Sequence, residues 1–197
     1  MNDKSTLKNI PTQVHLLPAG VLPGDKSTEL FGCRESKKVF GLSNGHTIPF
    51  QSLCPDKRAA IFQKMLGDDI AMADLKDLPH EAALEQFAFC VFGAADNEAD
   101  FDCDGNLGKA DNFICSDNCR CLAWRSKSIT IDGQELTPRQ VQIIQKMASD
   151  KPNKQIAGEL GISESTLDTH ARHIYEKFNV NSKAGMITKA VTQKVIQ

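Results

Sequence analysis

The stretch from Leu136 to Phe178, LTPRQVQIIQKMASDKPNKQIAGELGISESTLDTHARHIYEKF, constrains the fold more than any other, because its start and stop signals divide it into three helices. Thr137 is a natural N-cap, Pro138 suits the first helical position, and Gln140 completes a Thr-x-x-Gln capping box. Val141, Ile144 and Ala148 then recur at i, i+3 and i+7, the spacing that buries one helical face. Asn153 is placed to cap a second, short helix whose inner face is Ile156, Ala157 and Leu160. Gly161 stands where a left-handed residue closes a helix, and Ser163 is placed to cap the next one. That third helix repeats Leu167, Ala171, Ile174 and Phe178, with Ser165, Asp168, Thr169, Arg172 and Glu176 on the opposite side.

This order of elements is a helix-turn-helix, whose last helix, residues 164–178 or so, is the one that enters a DNA groove. The stretch resembles the LuxR/GerE-type helix-turn-helix of bacterial transcription regulators. The resemblance rests on Leu136-Thr137-Pro138-Arg139-Gln140, Asn153-Lys154-Gln155-Ile156-Ala157, Leu160-Gly161-Ile162-Ser163, Ser165-Thr166-Leu167, His170, Ile174-Tyr175-Glu176-Lys177 and Asn179-Val180-Asn181-Ser182-Lys183. It covers the chain from Leu136 onward, roughly a third of it, and is silent on the rest. It implies a four-helix DNA-binding domain with a fourth helix from Ser182 to about Val195, which in the family often carries dimerisation.

On helix geometry, Asp168, Thr169 and Arg172 are the candidate base contacts. Arg172 is suited to a bidentate bond with guanine, Thr169 to a thymine methyl or a hydrogen bond, and Asp168 to a cytosine amino group. Lys154, Ser165, Thr166 and Lys177 are the candidate phosphate contacts. His170 borders the buried stripe and reads as structural; His173 is placed to touch backbone. The family commonly has a basic residue where this chain has Asp168. A carboxylate there either reads bases selectively or pairs with Arg172 at i, i+4, and both readings stay open.

Charge agrees with this division. The formal net charge is −2, yet Leu136–Gln197 carries nine Lys/Arg against five Asp/Glu, whereas Met1–Glu135 carries fourteen against twenty. No stretch has the apolar length to span a bilayer, and MNDKSTLKNI lacks the apolar core of a signal peptide, so a cytoplasmic protein with no membrane partner is expected. Its seven cysteines would then be reduced, and their odd number argues against a complete disulfide framework.

The expected fold is mainly α: a C-terminal helix-turn-helix domain over 128–197, preceded by a small α+β domain over 29–127 and an irregular arm over 1–28. Within the arm only Val14, Leu16 and Leu17 suggest docking. Residues 38–50 read as a hairpin turning on Asn44-Gly45, with Pro49 confining the second strand to an edge or its end. Helices are expected from Pro55 to Leu66, from Asp69 to Leu78 and from Glu81 to about Phe92. The last has Ala83, Leu84, Phe87, Ala88 and Val91 on its inner face, and Cys90 on it reads as a buried apolar side chain. Ser128–Ile131 reads as a short strand.

Residues 94–127 change character: apolar periodicity vanishes, and Asp, Asn and Cys crowd in. Cys103, Cys115, Cys119 and Cys121, spaced C-x11-C-x3-C-x-C, are the candidate ligands of a structural zinc ion, with Cys33 or Cys54 able to replace one. The spacing departs from paired C-x2-C knuckles, so an iron–sulfur cluster and four unligated thiols remain open alternatives. Asp100, Asp102, Asp104 and Asp111, with Gly105 between, also resemble a twelve-residue calcium loop. Against calcium stand the short last ligand, the missing following helix and Cys103 inside the loop.

The resemblance thus leads to a sequence-specific DNA-binding transcription regulator, with double-stranded DNA and a second copy of the chain as partners. The alternative is an interaction protein that docks on RNA polymerase, a sigma-like factor or a phage or mobile-element accessory protein. No phosphate-cradling glycine loop, His-Glu-x-x-His or nucleophile–base pair suggests an enzyme. The front half matches neither a receiver domain, which needs alternating strands and helices, nor an aromatic-rich autoinducer domain; it has one Trp and no Tyr.

Overall fold

The computed structural model describes residues 17–116 and 119–196, so most of the expected N-terminal arm, including Val14 and Leu16, lies outside the described residues. Three antiparallel strands, β1 (Glu29–Cys33), β2 (Lys38–Ser43) and β3 (His46–Pro49), form a meander in that order. The β2–β3 turn is the expected one. Asn44 and Gly45 take φ of 51° and 75°, the left-handed pair a two-residue hairpin needs, and Ser43 faces His46 across it. Pro49 ends the edge strand, where its missing N–H costs no ladder bond. Residues 17–27 are irregular but tied to this hairpin, since Gly45 N–H donates to Gly20 O at 2.9 Å and Asn44 N–H to Asp25 O at 2.8 Å.

Three helices follow, α1 (Pro55–Leu66), α2 (Asp69–Leu75) and α3 (His80–Val91), of which α3 packs on the sheet and α1 and α2 pack on α3. Pro55 occupies the first helical position, as expected. The second helix stops at Leu75, short of the expected Leu78, and Asp68 caps it by accepting from the Ile70 and Ala71 N–H groups. The third is the central element. Its inner residues Ala83, Leu84, Phe87, Ala88 and Val91 are buried, and Phe89 and Cys90 on other sides are buried too. Gly32 of β1 lets this helix close on the sheet, since a Cβ there would lie 2.5 Å from the Phe89 ring. Around α3 lies one apolar cluster including Leu30, Val39, Phe50, Ile61, Phe92, Phe101 and Trp124.

The second cluster is built on the short pair β4 (Thr130–Ile131) and β5 (Gln134–Glu135) and on four helices, α4 (Pro138–Met147), α5 (Asn153–Glu159), α6 (Glu164–Phe178) and α7 (Lys183–Thr192). Ile114 and Leu122, which precede the expected boundary at 127/128, pack into this second cluster, whereas Phe113, Cys121 and Trp124 pack into the first. The Asn112 side chain adds a polar clamp. It accepts from Thr130 N–H at 2.7 Å and donates to the carbonyls of Thr130 and Gln193 at 2.9 and 3.2 Å. No helix among the described residues is long and apolar enough to cross a membrane.

The aspartates of the calcium reading are engaged separately. Asp100 is 2% exposed and accepts from Leu30 N–H at 2.7 Å, and Asp111 accepts from Ala94 N–H at 2.8 Å. Asp102 instead closes its own exposed turn, taking the N–H groups of Asp104 and Asn106 at 2.9 and 2.8 Å. Backbone donors thus engage three of the four carboxylates, Asp104 stays exposed, and the four do not form a convergent group among the described residues.

Beside Asp100 and Asp111 lies Glu29, fully buried, with one oxygen accepting from Asp96 N–H at 2.6 Å and the other without a partner among the described residues. Burial, opposed by that N–H and reinforced by the negative charges of Asp96 and Asp111, pushes its carboxyl from 4.5 up to about 9. Because the folded chain holds this proton after the unfolded chain has lost it, Glu29 withdraws stability as pH rises from 4.5 to about 9. Glu29→Gln, isosteric with the protonated acid, should gain stability over the parent at pH 8 by at least about 1.4 kcal/mol, the equivalent of one pKa unit. It should gain little at pH 4.5. Urea denaturation at the two pH values measures this, and an equal effect at both would refute the assignment.

Candidate nucleic-acid interface and a four-thiol centre

The helix-turn-helix is assembled by local signals. Thr137 Oγ1 accepts from Gln140 N–H while Gln140 Oε1 accepts from Thr137 N–H, so both halves of the expected capping box are made. Val141 and Ile144 are buried as expected, but Ala148 is exposed at the helix end and Met147, with Ile143, takes its place inside. Asn153 is the first helical residue of α5 rather than its cap, a position held by Pro152. Ile156 and Ala157 face inward and Leu160 is half-buried. Arg139 of α4 reaches across to donate to Leu160 O at 2.7 Å, closing the end of α5, a role that sequence pattern does not reveal. Gly161 turns the chain with φ 65°, and Ser163 caps α6 by accepting from Thr166 N–H.

All four residues of the expected stripe, Leu167, Ala171, Ile174 and Phe178, are buried. They hold α6 against α4, α5 and α7, and its other side faces solvent. Ser165, Thr166, Asp168, Thr169, Arg172 and His173 are all exposed there, and the front half does not cover them. Thr169 Oγ1 donates to Ser165 O at 2.9 Å, which restrains its side-chain rotamer. Asp168 forms no ion pair with Arg172 among the described residues. It accepts weakly from Asn153 Nδ2 at 3.4 Å, bringing the start of α5 beside the middle of α6.

The cations of this region divide in two. Lys146 and Lys151 pair with Glu159. Arg139, Lys177, Lys183, Lys189 and Lys194 donate to the carbonyls of Leu160, Glu135, Ser149, Phe178 and Ala95. Lys154 and Arg172 alone, among the described residues after 135, have neither an acid nor a carbonyl partner. Lys177, expected on phosphate, therefore points toward Glu135 and Gln140, at 2.7 and 3.3 Å, rather than onto the open face.

Residues 134–190 match the model of the luxR family of bacterial regulatory proteins. The C-terminal part of this chain is a LuxR-type helix-turn-helix domain. The transcriptional regulatory protein MctR of Rhizobium johnstonii is 33% identical over 61 residues, 31% of this chain and 28% of the relative. The nitrate/nitrite response regulator protein NarL of Escherichia coli is 40% identical over 52 residues, 26% of this chain and 24% of NarL. The oxygen regulatory protein NreC of Staphylococcus carnosus is 33% identical over 61 residues, 31% of this chain and 28% of that protein. The chain thus spans only about a quarter of the length of these relatives. No solved structure is significantly similar to it.

Upstream of the LuxR-type domain, four cysteine sulfurs gather at the end of α3. Those of Cys90, Cys115, Cys119 and Cys121 all lie within 4.8 Å of one another, and Cys115 and Cys121 are 3.4 Å apart. Three of the four expected ligands are therefore together, but Cys103 is not one of them. It sits exposed in the turn closed by Asp102, and Cys90 takes its place because the chain after residue 112 folds back over the end of α3. Cys33 and Cys54 lie outside the group as well. Within it, S–H bonds from Cys115 and then Cys121 stabilise the Cys119 thiolate and pull its pKa far down. Bonding with Cys115 and Cys119 holds the Cys121 thiol up.

Proposed function

We propose that this chain is a sequence-specific DNA-binding transcription regulator whose α6 lies in the major groove. The observation that carries the reading is the placing of the two unpartnered cations of the LuxR-type domain. Lys154 follows Asn153, which reaches Asp168 from the start of α5, and Arg172 is exposed on the same helix as Ser165, Thr166, Asp168 and Thr169. Arg172, Thr169 and Asp168 would meet base edges; Lys154, Ser165 and Thr166 would hold phosphates. Asp168, free of Arg172, would serve as an acceptor for a cytosine amino group and repel misplaced phosphate. Lys177 would contribute by fixing the start of α4 rather than by touching DNA. Nothing in this scheme requires catalysis.

A second copy would pair through α7, where Ala184, Thr188 and Val191 are exposed at i, i+4 and i+7, Val191 by 51%. Met186 and Ala190, on the other side, belong to the core.

Selection of bound sites from a random duplex library at physiological salt is the test. An enriched motif is expected, with two-fold symmetry if the chain pairs. Arg172→Ala should relax preference at one base and weaken binding by about 1–3 kcal/mol, and Lys154→Ala should weaken all sequences alike while lowering the salt slope by about one. Failure to enrich any motif would end the proposal.

A further inference from the structure

We propose that Cys90, Cys115, Cys119 and Cys121 hold one tetrahedral Zn²⁺ ion, and that this ion fastens α3 to the segment that feeds the LuxR-type domain. The spacing of the sulfurs is the first ground. A zinc ion with bonds of about 2.3 Å sets its four sulfurs about 3.8 Å apart, and here all four already lie within 4.8 Å. A multi-iron cluster places iron and sulfide between its thiolates and spreads them wider than a single ion does, so the geometry favours one ion over a cluster. Four protein sulfurs close the coordination sphere, which makes the site structural rather than catalytic.

The surroundings are those of a thiolate site. Gln86, one turn before Cys90, donates its side-chain N–H to Cys90 Sγ at 3.2 Å, orienting that ligand. Zinc with four thiolates carries a net charge of −2, and two cations stand beside it. The Lys127 ammonium, on a residue 5% exposed, donates to the Cys90 carbonyl, and the Arg34 guanidinium donates to the carbonyls of Ile114 and Cys115 at 2.8 and 3.3 Å. Asp111 already lies in the field of Lys127, and a zinc tetrathiolate would add a second negative group within reach of the same buried ammonium.

The staple has something to hold. Between Asn112 and Trp124 the described residues contain one short 3-10 turn, Arg120–Ala123, and too little apolar surface for a core of their own. Ile114 immediately precedes the first ligand of this segment and Leu122 immediately follows the last, and both are plugged into the core of the LuxR-type domain. Zinc binding expels the thiol protons and fixes the loop between those two plugs, so its free energy becomes folding free energy of the junction. This role is independent of what α6 binds.

Elemental analysis of the full chain, purified under reducing conditions without chelator, tests the site. Roughly one zinc per chain is expected, kept by Cys103→Ser and lost by Cys90→Ser and Cys121→Ser. Zinc absent from the parent, iron in its place, a Cys115–Cys121 disulfide instead of metal, or equal loss in Cys103→Ser would each overturn the proposal. Should the serine variants fail to fold, cobalt exchanged into the parent chain decides. Intense thiolate-to-cobalt charge-transfer and tetrahedral ligand-field bands support four sulfur ligands, and their absence overturns them. For the staple itself, stripping the ion should speed amide exchange in residues 112–124 by about tenfold or more, and unchanged exchange there would remove that role.

Discussion

Replacing Phe178 with alanine should cost about 3–5 kcal/mol of stability, enough to lower the melting temperature by roughly 6–20 °C in a chain of this size. The ring is fully buried at the end of α6, the last rung of the stripe that begins at Leu167. Asn179 then turns the chain left-handed with φ 49°, and Lys189 of α7 donates to the Phe178 carbonyl at 2.8 Å. The backbone is thus pinned on both sides and has little freedom to collapse into the space the ring would leave. Trp124, the single tryptophan, lies in the other apolar cluster, stacked 5.7 Å from Phe87. Because residues 112–124 enter both clusters, its fluorescence should follow the loss of helical circular dichroism in one transition, in parent and variant alike. Two separate transitions, or an unchanged melting point, would contradict the shared packing.

Gly93→Ala should be among the more damaging small changes in the front half, at about 3 kcal/mol or roughly 6–12 °C. A methyl there would lie 2.3 Å from the Phe89 carbonyl oxygen and 2.5 Å from the Phe113 ring. Neither neighbour yields easily. The Phe113 ring packs edge-on against Phe89 at 5.5 Å, with the Arg34 guanidinium 4.7 Å from its centroid, and Gly32 N–H donates to Gly93 O at 3.0 Å. Displacing Phe113 also drags Ile114 and Cys115. Gly158→Ala is the matched control. Its methyl would meet nothing within 4 Å on helix α5, so a gain of about 0.5–1 kcal/mol is expected. Thermal unfolding of the two variants side by side should move in opposite directions; a stabilised Gly93→Ala would mean the close approach is wrongly placed.

The helix-turn-helix is legible in sequence because its signals are local. The capping box at Thr137, the turn at Gly161 and the stripe from Leu167 to Phe178 each need only a few neighbouring residues to be recognised. The α6 ends, Glu164 and Phe178, follow from the same signals. What escapes is whatever depends on the chain returning to itself. Strand β1 lacks alternation because Glu29 is buried by the aspartate-rich segment and Gly32 makes room for Phe89. Ile114 and Leu122 are isolated apolar residues in a polar stretch, so periodicity gives no hint that they serve the second cluster. Cys90 is hidden inside a helical apolar pattern, while Cys103 is favoured merely by being near the other cysteines along the chain. The one local clue is Gln86, a donor one turn before Cys90 and the one residue not buried between Ala83 and Val91. Lys177 misleads for a related reason. Its stem is long enough to fold back to Glu135, whose nearness depends on the β4–β5 pairing.

The double allegiance of residues 112–124 bears on how such a protein can be recombined. A graft that exchanged the front half at Ser128 would leave two vacant sockets in the transplanted LuxR-type domain, where Ile114 and Leu122 belong, and would strand the carboxamide of Asn112 from Thr130. A seam before Asn112 keeps those two corks with the domain, but it parts Cys90 from Cys115, Cys119 and Cys121 and pulls Trp124 from Phe87, so either cut leaves one half incomplete.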